Sequence, residues 1–328
     1  MNVMYTCDNN YVWLMGISTI SLFENNMHIK ELNVYLLGEN ISREGKEKLE
    51  RIADRYGREI KIIDVPKLNI PQTLVSARWP LSAFTRLFSG VILPTYIDKI
   101  LYLDCDTIIT GDISELENIR FDKNIVFGVK DCISGTYKEN IGLDKDSLYI
   151  NAGVLVFDLN ALRNINISEK IETYMSRYMK FINYADQDIL NGMFKEKIGE
   201  LDPKFNVMTI DVVHTYEEIQ KLRRPTNFYK KERVELAKRN PVIIHYTTNM
   251  QVIRPWFSDT NHPFASEFKK YMNISPWKDK ELKKMVFDSK NARIIGLIMK
   301  LPKSMAYIIL GFIHAELKPR YIRIKAGR

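Results

Sequence analysis

A chain of 328 residues with 45% hydrophobic content can hold one large domain or two, with ample apolar material for a core. Its net charge of +8 is unevenly placed: residues 278–328 carry 13 Lys and Arg against 4 Asp and Glu, and the remainder is close to neutral. That excludes a nucleic-acid-binding body and points to a basic appendage with its own partner.

The elements alternate from the start. Val3–Cys7 reads as a strand, and the N-terminus lacks the basic and apolar regions of a cleavable leader, so no signal peptide is expected. A helix over Val12–Phe23 comes next, then a strand over Leu32–Leu37. Ser42 can cap a helix that carries Leu49, Ile52, Ala53 and Tyr56 and closes at Gly57. Glu59–Val65 is a third strand. Ser82 can cap a helix with Phe84, Leu87, Phe88 and Val91 on one face and Arg86 mid-helix. Repeated β-α-β units predict an α/β fold, a mostly parallel sheet flanked by helices. Ligands of such sheets bind beyond the carboxyl ends of the strands.

The run Lys99–Leu103 ends in Asp104-Cys105-Asp106. In extended chain, side chains two apart point the same way, so both carboxylates can grip one hard cation while Cys105 faces the other side. A divalent cation on oxygen ligands suits a diphosphate leaving group. Asp144-Lys-Asp146 and Asp186-Gln-Asp188 share the spacing, but only the triplet at 104–106 follows a strand with turn signals behind it. Leu148–Asp158 reads as strand, Ser168–Ile182 and Gln187–Phe194 as helices, and Val242–Tyr246 as a buried strand containing His245. The three cysteines, at 7, 105 and 132, form no C-x-x-C pair, which suggests a reducing compartment.

Five ordered pieces carry a resemblance: Thr6-Cys7-Asp8 with Tyr11; Arg86; Leu103-Asp104-Cys105-Asp106; Asn151-Ala152-Gly153 with Asp186-Gln187-Asp188; and His245 followed by Arg254-Pro255-Trp256. Over residues 1 to about 270 the chain resembles glycosyltransferase family 8, which includes bacterial lipopolysaccharide galactosyl- and glucosyltransferases and glycogenin. The resemblance implies a GT-A fold, a UDP-sugar donor, a metal ion and retention of anomeric configuration. It implies that Asp8 contacts uracil, with Tyr11 placed to stack on the base, and that Arg86 contacts the donor. Asp104 and Asp106 become metal ligands, with Asp104 also near the ribose, and His245 becomes the third ligand. An imidazole in that set favours Mn²⁺, with Mg²⁺ as the alternative. Asn151, Ala152 and Gly153 fall beside the sugar and ribose, where close backbone approach suits small residues.

Asp186 and Gln187 fall beside the donor sugar. Retention by double displacement needs a nucleophile, and a neutral amide is a poor one. Same-face attack is therefore favoured, with Gln187 steadying the cationic sugar. Asp131 reads equally as a turn residue or a ligand of sugar hydroxyls, and Asp8 equally as a helix cap. The last segment departs from the family pattern: eight residues without glycine separate His245 from Arg254, and Arg replaces the usual Lys, which makes its diphosphate contact an open point.

The sequence therefore predicts a catalytic domain over 1–275 and a basic, apolar tail over 276–328. The expected activity is transfer of glucose or galactose from a UDP-sugar to a glycan or lipid-linked glycan acceptor in cell-surface polysaccharide synthesis. One rival is a nucleotidyltransferase, which needs a Gly-rich basic loop that Thr6–Tyr11 lacks. The other is a catalytically impaired relative that binds a glycan or a partner. In the tail, Ile294–Met299 and Met305–Ile313 are apolar, interrupted by Lys300, Pro302 and Lys303, and too short to span a bilayer. They suggest helices lying on an anionic membrane, hence a cytoplasmic protein peripheral to the inner face of the plasma membrane. The competing reading is a tail that packs on the catalytic domain.

Overall fold

The computed structural model describes residues 1–66, 68, 84–249, 252–286 and 295–326. Its frame is a seven-stranded sheet: β1 (Asn2–Asp8), β2 (Asn33–Glu39), β3 (Ile60–Asp64), β4 (Lys99–Leu103), β6 (Val126–Lys130), β7 (Ile150–Asp158) and β8 (Ile198–Glu200). The strand order is β3-β2-β1-β4-β7-β6-β8. Every pairing is parallel except those of β7, which runs against both β4 and β6. That reversal matters for the site. It brings the start of β7, at Asn151–Gly153, to the edge where β1 and β4 end.

A second sheet of three short strands, β5 (Thr107–Ile109), β9 (Val207–Met208) and β10 (Ile243–His245), has the order β5-β10-β9. In it His245 pairs with Thr107, the residue after Asp106. Strand register thus carries His245 to the aspartate pair across more than a hundred residues of chain.

The local signals explain most elements. Helix α1 (Val12–Asn25) lies against the sheet. In α2 (Arg43–Tyr56), the Ser42 side chain accepts from the Gly45 N–H at 3.1 Å and Gly57 closes the helix at φ 58°. Two large clusters, one on each face of the sheet, form the core. Each fully buried aliphatic side chain there contributes roughly 1.5–3 kcal/mol. Cys105 is buried in the cluster that includes α1, so the residue between the two aspartates does face away from them.

The predicted helix after Ser82 is present over its described residues, with a tightened middle turn. Ser82 lies outside the described residues. Phe84 and Thr85 are helical, and the chain runs on through a 3₁₀ turn at Arg86–Phe88 into a helical turn at Ser89–Ile92, so Arg86 lies within the helical stretch, where it tightens. Phe84, Leu87 and Phe88 are buried, whereas Val91 is exposed. Pro94 forces the break two residues later.

Four further helices position the site and the tail: α3 (Gly135–Asn140), α4 (Ala185–Met193), α5 (Tyr216–Arg223) and α6 (Lys303–Phe312), the last continuing through a π turn (Ile313–Leu317) into α7 (Lys318–Lys325). Helix α6 packs on α5 through Ala306, Tyr307 and Leu310. A Cβ added at Gly311 would meet the Lys221 carbonyl at 1.8 Å, so the two helices approach as only glycine permits. Pro319 has no N–H for the Ala315 carbonyl four residues earlier. The Ser134 hydroxyl donates to that carbonyl instead, at 2.9 Å. Asn140 Nδ2 donates to the Pro319 carbonyl at 2.8 Å. The tail therefore docks on the body through one face. The opposite face leaves Met305, Ile308, Phe312, Ile313, Leu317 and Tyr321 exposed. Among the described residues no helix is long and apolar enough to cross a membrane.

Candidate functional site

Ligand atoms of Asp104, Asp106 and His245 lie within 4.8 Å of one another at the carboxyl edge of the sheet. His245 Nε2 is 3.2 Å from Asp106 Oδ1 and 3.6 Å from Asp104 Oδ2. Its other nitrogen, Nδ1, donates to Asn206 Oδ1 at 3.0 Å. That bond holds the ring with Nε2 aimed at the carboxylates, the arrangement a metal-ligating histidine needs. A Cβ added at Gly153 would stand 2.1 Å from His245 Cε1 and 3.0 Å from Asp104 Oδ2, so a glycine is required beneath the trio. Two carboxylates and one imidazole converging in this way fit a divalent cation.

The electrostatics agree. Burial would raise the Asp106 carboxyl, but the adjacent His245 imidazole and Arg254 outweigh it and hold it below the usual range. Burial would lower His245, and Asp106 with Asp104 raises it instead. A bound cation and that proton compete for the same Nε2.

Asn206 extends the site inward. Its Nδ2 donates to Asn151 Oδ1 at 2.9 Å. Asn151 Nδ2 and the Ala152 N–H donate to Gln187 Oε1 at 3.0 and 3.1 Å. Gln187 Nε2 donates to Asp131 Oδ2 at 3.0 Å and to the Tyr149 hydroxyl at 3.1 Å. Tyr149 in turn donates to Asp188 Oδ1 at 2.6 Å. Each amide is oriented by the next, so His245 and Gln187 belong to one hydrogen-bonded chain. Asp188 anchors its far end with both oxygens, the second accepting from Tyr137 at 2.6 Å and from the Asn183 and Tyr184 N–H groups at 2.9 Å. These bonds hold Ala185 at φ 43°, a left-handed conformation that costs an alanine about 1–2 kcal/mol, directly before Asp186 and Gln187.

Arg86 is buried between two acids. Its Nη1 is 3.0 Å from Asp104 Oδ1 and donates to the Ala152 carbonyl at 2.6 Å. Its Nε is 3.1 Å from Asp186 Oδ2, an ion pair without hydrogen-bond alignment. The guanidinium also stacks 4.3 Å from the Tyr102 ring centroid. Burial disfavours its charge, yet Asp104 and Asp186 hold it firmly protonated. Burial pushes the Asp186 carboxyl up to about 6 against the pull of Arg86. Arg86 thus bridges Asp104 to α4.

Asp8 ends β1 at the same edge, where its oxygens accept from the Asn10 N–H at 2.9 Å and Asn10 Nδ2 at 3.1 Å. It caps no helix: α1 starts after Tyr11 without a side-chain cap. Tyr11 is 45% exposed, leaving its ring open. Arg254 reaches the site in spite of the longer segment before it, its Nη1 3.9 Å from Asp106 Oδ2 and its guanidinium 4.6 Å from the Trp256 ring centroid. Asn261 Oδ1 and the Thr260 hydroxyl pin Ile253 beside it, at 2.7 and 2.8 Å.

The structure joins Arg86, Asp104, Asp106, Asn151, Ala152, Gly153, Asp186, Gln187, His245 and Arg254 through direct contacts, with Tyr11 near Arg254 and Asp106 and Asp8 at the neighbouring strand end. The reading of the sequence missed Asn206, Tyr149 and the role of Asp188. The Asp186-Gln187-Asp188 triplet was a visible signal for the last, whereas Asn206 lies in an unremarkable stretch.

A glycosyl transferase family 8 model matches residues 2–260. A lipopolysaccharide 1,2-glucosyltransferase of Escherichia coli strain K12 is 29% identical over 285 residues, spanning 85% of this chain and 79% of that protein. General stress protein A of Bacillus subtilis strain 168 is 25% identical over 280 residues, 84% of this chain and 94% of that one. Among solved structures, the galactosyltransferase LgtC in complex with donor and acceptor sugar analogs has a TM-score of 0.68 at 23% identity, covering 89% of this chain and 99% of that one, a likeness of fold. With the match extending over most of its length, the chain belongs to glycosyl transferase family 8.

Proposed function

We propose that this protein is a metal-dependent, retaining hexosyltransferase that moves glucose or galactose from a UDP-sugar to a glycan acceptor in cell-surface polysaccharide synthesis. The observation that carries the reading is the convergence of Asp104, Asp106 and His245, joined through Asn206 and Asn151 to Gln187. Asp104, Asp106 and His245 would hold Mn²⁺, which when bound supplies positive charge to the diphosphate leaving group. Arg254 adds a second positive charge at the same edge. Asp8 accepts the ring N–H of uracil, and the open Tyr11 ring stacks on the base. Asn151, Ala152 and Gly153 form the floor under ribose and sugar, and Arg86 holds Asp104 and Asp186 in place beside them.

Gln187 cannot serve as a nucleophile. It is a neutral amide whose oxygen and nitrogen are both engaged. Attack from the face of the departing diphosphate accounts for retention without one. Gln187 then fixes Asp131, whose carboxylate is the charged group nearest to it and is partly exposed. Asp131 is placed to stabilise a cationic sugar or bind acceptor hydroxyls.

The catalytic domain is taken as 1–275 and the tail as 276–328. The exposed apolar stripe of α6 and α7, flanked by Lys300, Lys303, Lys318 and Arg320, suits the interface of an anionic membrane and would place the protein on the inner face of the plasma membrane. The test is UDP release from a panel of nucleotide sugars with Mn²⁺, Mg²⁺ or chelator. Release from a UDP-hexose that stops with chelator supports the reading. Absence of release from every UDP-hexose, with either metal, refutes it and favours a binding protein.

A further inference from the structure

The tail and the loop after β6 together close a cavity of about 160 Å³, lined by Ser134, Tyr184, Arg223, His314, Lys318 and Ile322 among others. Three of these side chains are basic. Arg223, in the last turn of α5, donates to Nε2 of His314 at 2.8 Å. Because Nε2 accepts from the Arg223 guanidinium it carries no proton, so the ring, itself exposed at its edge, is neutral. With Nε2 accepting, its one proton sits on Nδ1 and makes that atom a donor. Arg320 and Arg323 of the same helix are occupied by Glu316 and Glu139. Among the described residues, neither Arg223 nor Lys318 enters an ion pair; Arg223 is hydrogen-bonded to Tyr184, a fellow lining residue, and Asp131 acts on it only at longer range. Two cations and a neutral imidazole, lining one pocket that is open to solvent on the Lys318 side, form an anion receptor.

The cavity shares a wall with the reaction centre. Tyr184 and Tyr137 line it and also bind Asp188, while Asp131, the partner of Gln187, immediately precedes the lining residue Cys132. A ligand here lies one layer of side chains from Gln187. On the other side, Ile313, Leu317 and Tyr321 continue the exposed apolar stripe from the same turns that supply His314 and Lys318.

We propose that this cavity is the anion subsite of the acceptor, taking a phosphate group through Arg223, Lys318 and His314, so that the acceptor is a phosphate-bearing glycan whose apolar carrier lies along the tail. The assignment rests on the glycosyl-transfer reading above. The lining divides the work: Arg223 supplies the inner fork, Lys318 the outer charge, and the apolar stripe a track for the carrier.

The test uses hexyl phosphate, a phosphate with a short apolar chain, titrated by calorimetry into the metal-free full-length protein. Saturable binding is expected, weakened about tenfold or more by Arg223→Gln and about threefold by Lys318→Gln, and unchanged by Arg254→Gln at the donor edge. Lys318 is exposed, so its variant reports even if loss of Arg223 disturbs folding. The proposal is overturned by absent saturation, by unchanged affinity in both cavity variants, or by loss of binding in Arg254→Gln, which would place the anion at the donor site. It is overturned too if inorganic phosphate binds as tightly as hexyl phosphate, since a free anion would then be the ligand. Metal-dependent UDP release by the unmodified protein is read in parallel. If release occurs while hexyl phosphate fails to bind, only the subsite falls; if release is absent, the transfer reading falls as well.

Discussion

The carboxyl edge of the sheet and the C-terminal helix solve opposite problems. At the edge, polar groups are buried and satisfy one another: the chain from His245 through Asn206, Asn151 and Gln187 to Tyr149 and Asp188 fixes every amide in it. What it leaves open is a set of anionic oxygens and one imidazole lone pair facing one point. Along the tail, one face is held by side-chain bonds such as Ser134 to the Ala315 carbonyl, and the opposite face leaves carbon uncovered. In both places the unfinished part of the surface is where the proposed partner would sit: a cation and its diphosphate at the edge, an apolar phase along the tail.

Breaking the edge should have the largest effect. Asp106→Ala removes a ligand and leaves His245 without its nearest acid, so turnover should fall by about a thousandfold or more while the thermal midpoint changes little. Gly153→Ala should be nearly as severe, because the added methyl occupies the space of His245 Cε1. A crystal structure of that variant should show the imidazole displaced; an unmoved ring with full activity would contradict the cradle. Asn206→Ala leaves all three ligands in place but frees the imidazole to turn. It should weaken Mn²⁺ affinity by about 10–100-fold, with rate restored at high metal, which separates positioning from direct ligation.

The tail should respond differently. A paired Ile308→Glu and Phe312→Glu change lies on the exposed face and should abolish sedimentation with anionic vesicles while UDP release persists. Removal of the whole tail is a poorer experiment, because it uncovers Leu222 and the α5 surface. If the paired variant sediments like the parent, the stripe is not a membrane face.

The smallest effect expected is one of pH. Burial pushes Asp211 up to about 7 against its bond from the Met208 N–H, and one of its oxygens has no partner. An aspartate raised above its unfolded value of about 3.9 binds more protons when folded, so its contribution to stability falls as pH rises from about 4 to 7. Asp211→Asn should therefore lessen the drop in Tm between acid and neutral pH. An unchanged slope would mean that the carboxylate is ionised at little cost.

Much of the edge is legible in the sequence because its parts sit at strand ends. Asp8 and Asp104 come directly after apolar runs, and turn chemistry behind Asp106 marks where the strand stops. His245 needed the resemblance, since a histidine in an apolar strand is usually structural; only the register with Thr107 shows why it arrives. Asn206 was beyond reach, because its role depends on β7 running against its neighbours, and no local pattern encodes that reversal. Arg86 was placed on a helix because the spacing of Phe84, Leu87 and Phe88 is helical, and the chain is helical on both sides of it. Its tight turn and its clamp on Asp104 and Asp186 are set by tertiary contacts. In the tail, periodicity revealed an apolar helix but not which face docks. That choice is made by Gly311 against Lys221 and by the carbonyl that Pro319 leaves to Ser134.

The most direct test of the central claim is calorimetric binding of UDP to the full-length protein with and without Mn²⁺, beside Asp106→Ala. The account predicts tight binding that requires the cation and is lost in the variant. UDP bound equally well in chelator, or by Asp106→Ala, would contradict it.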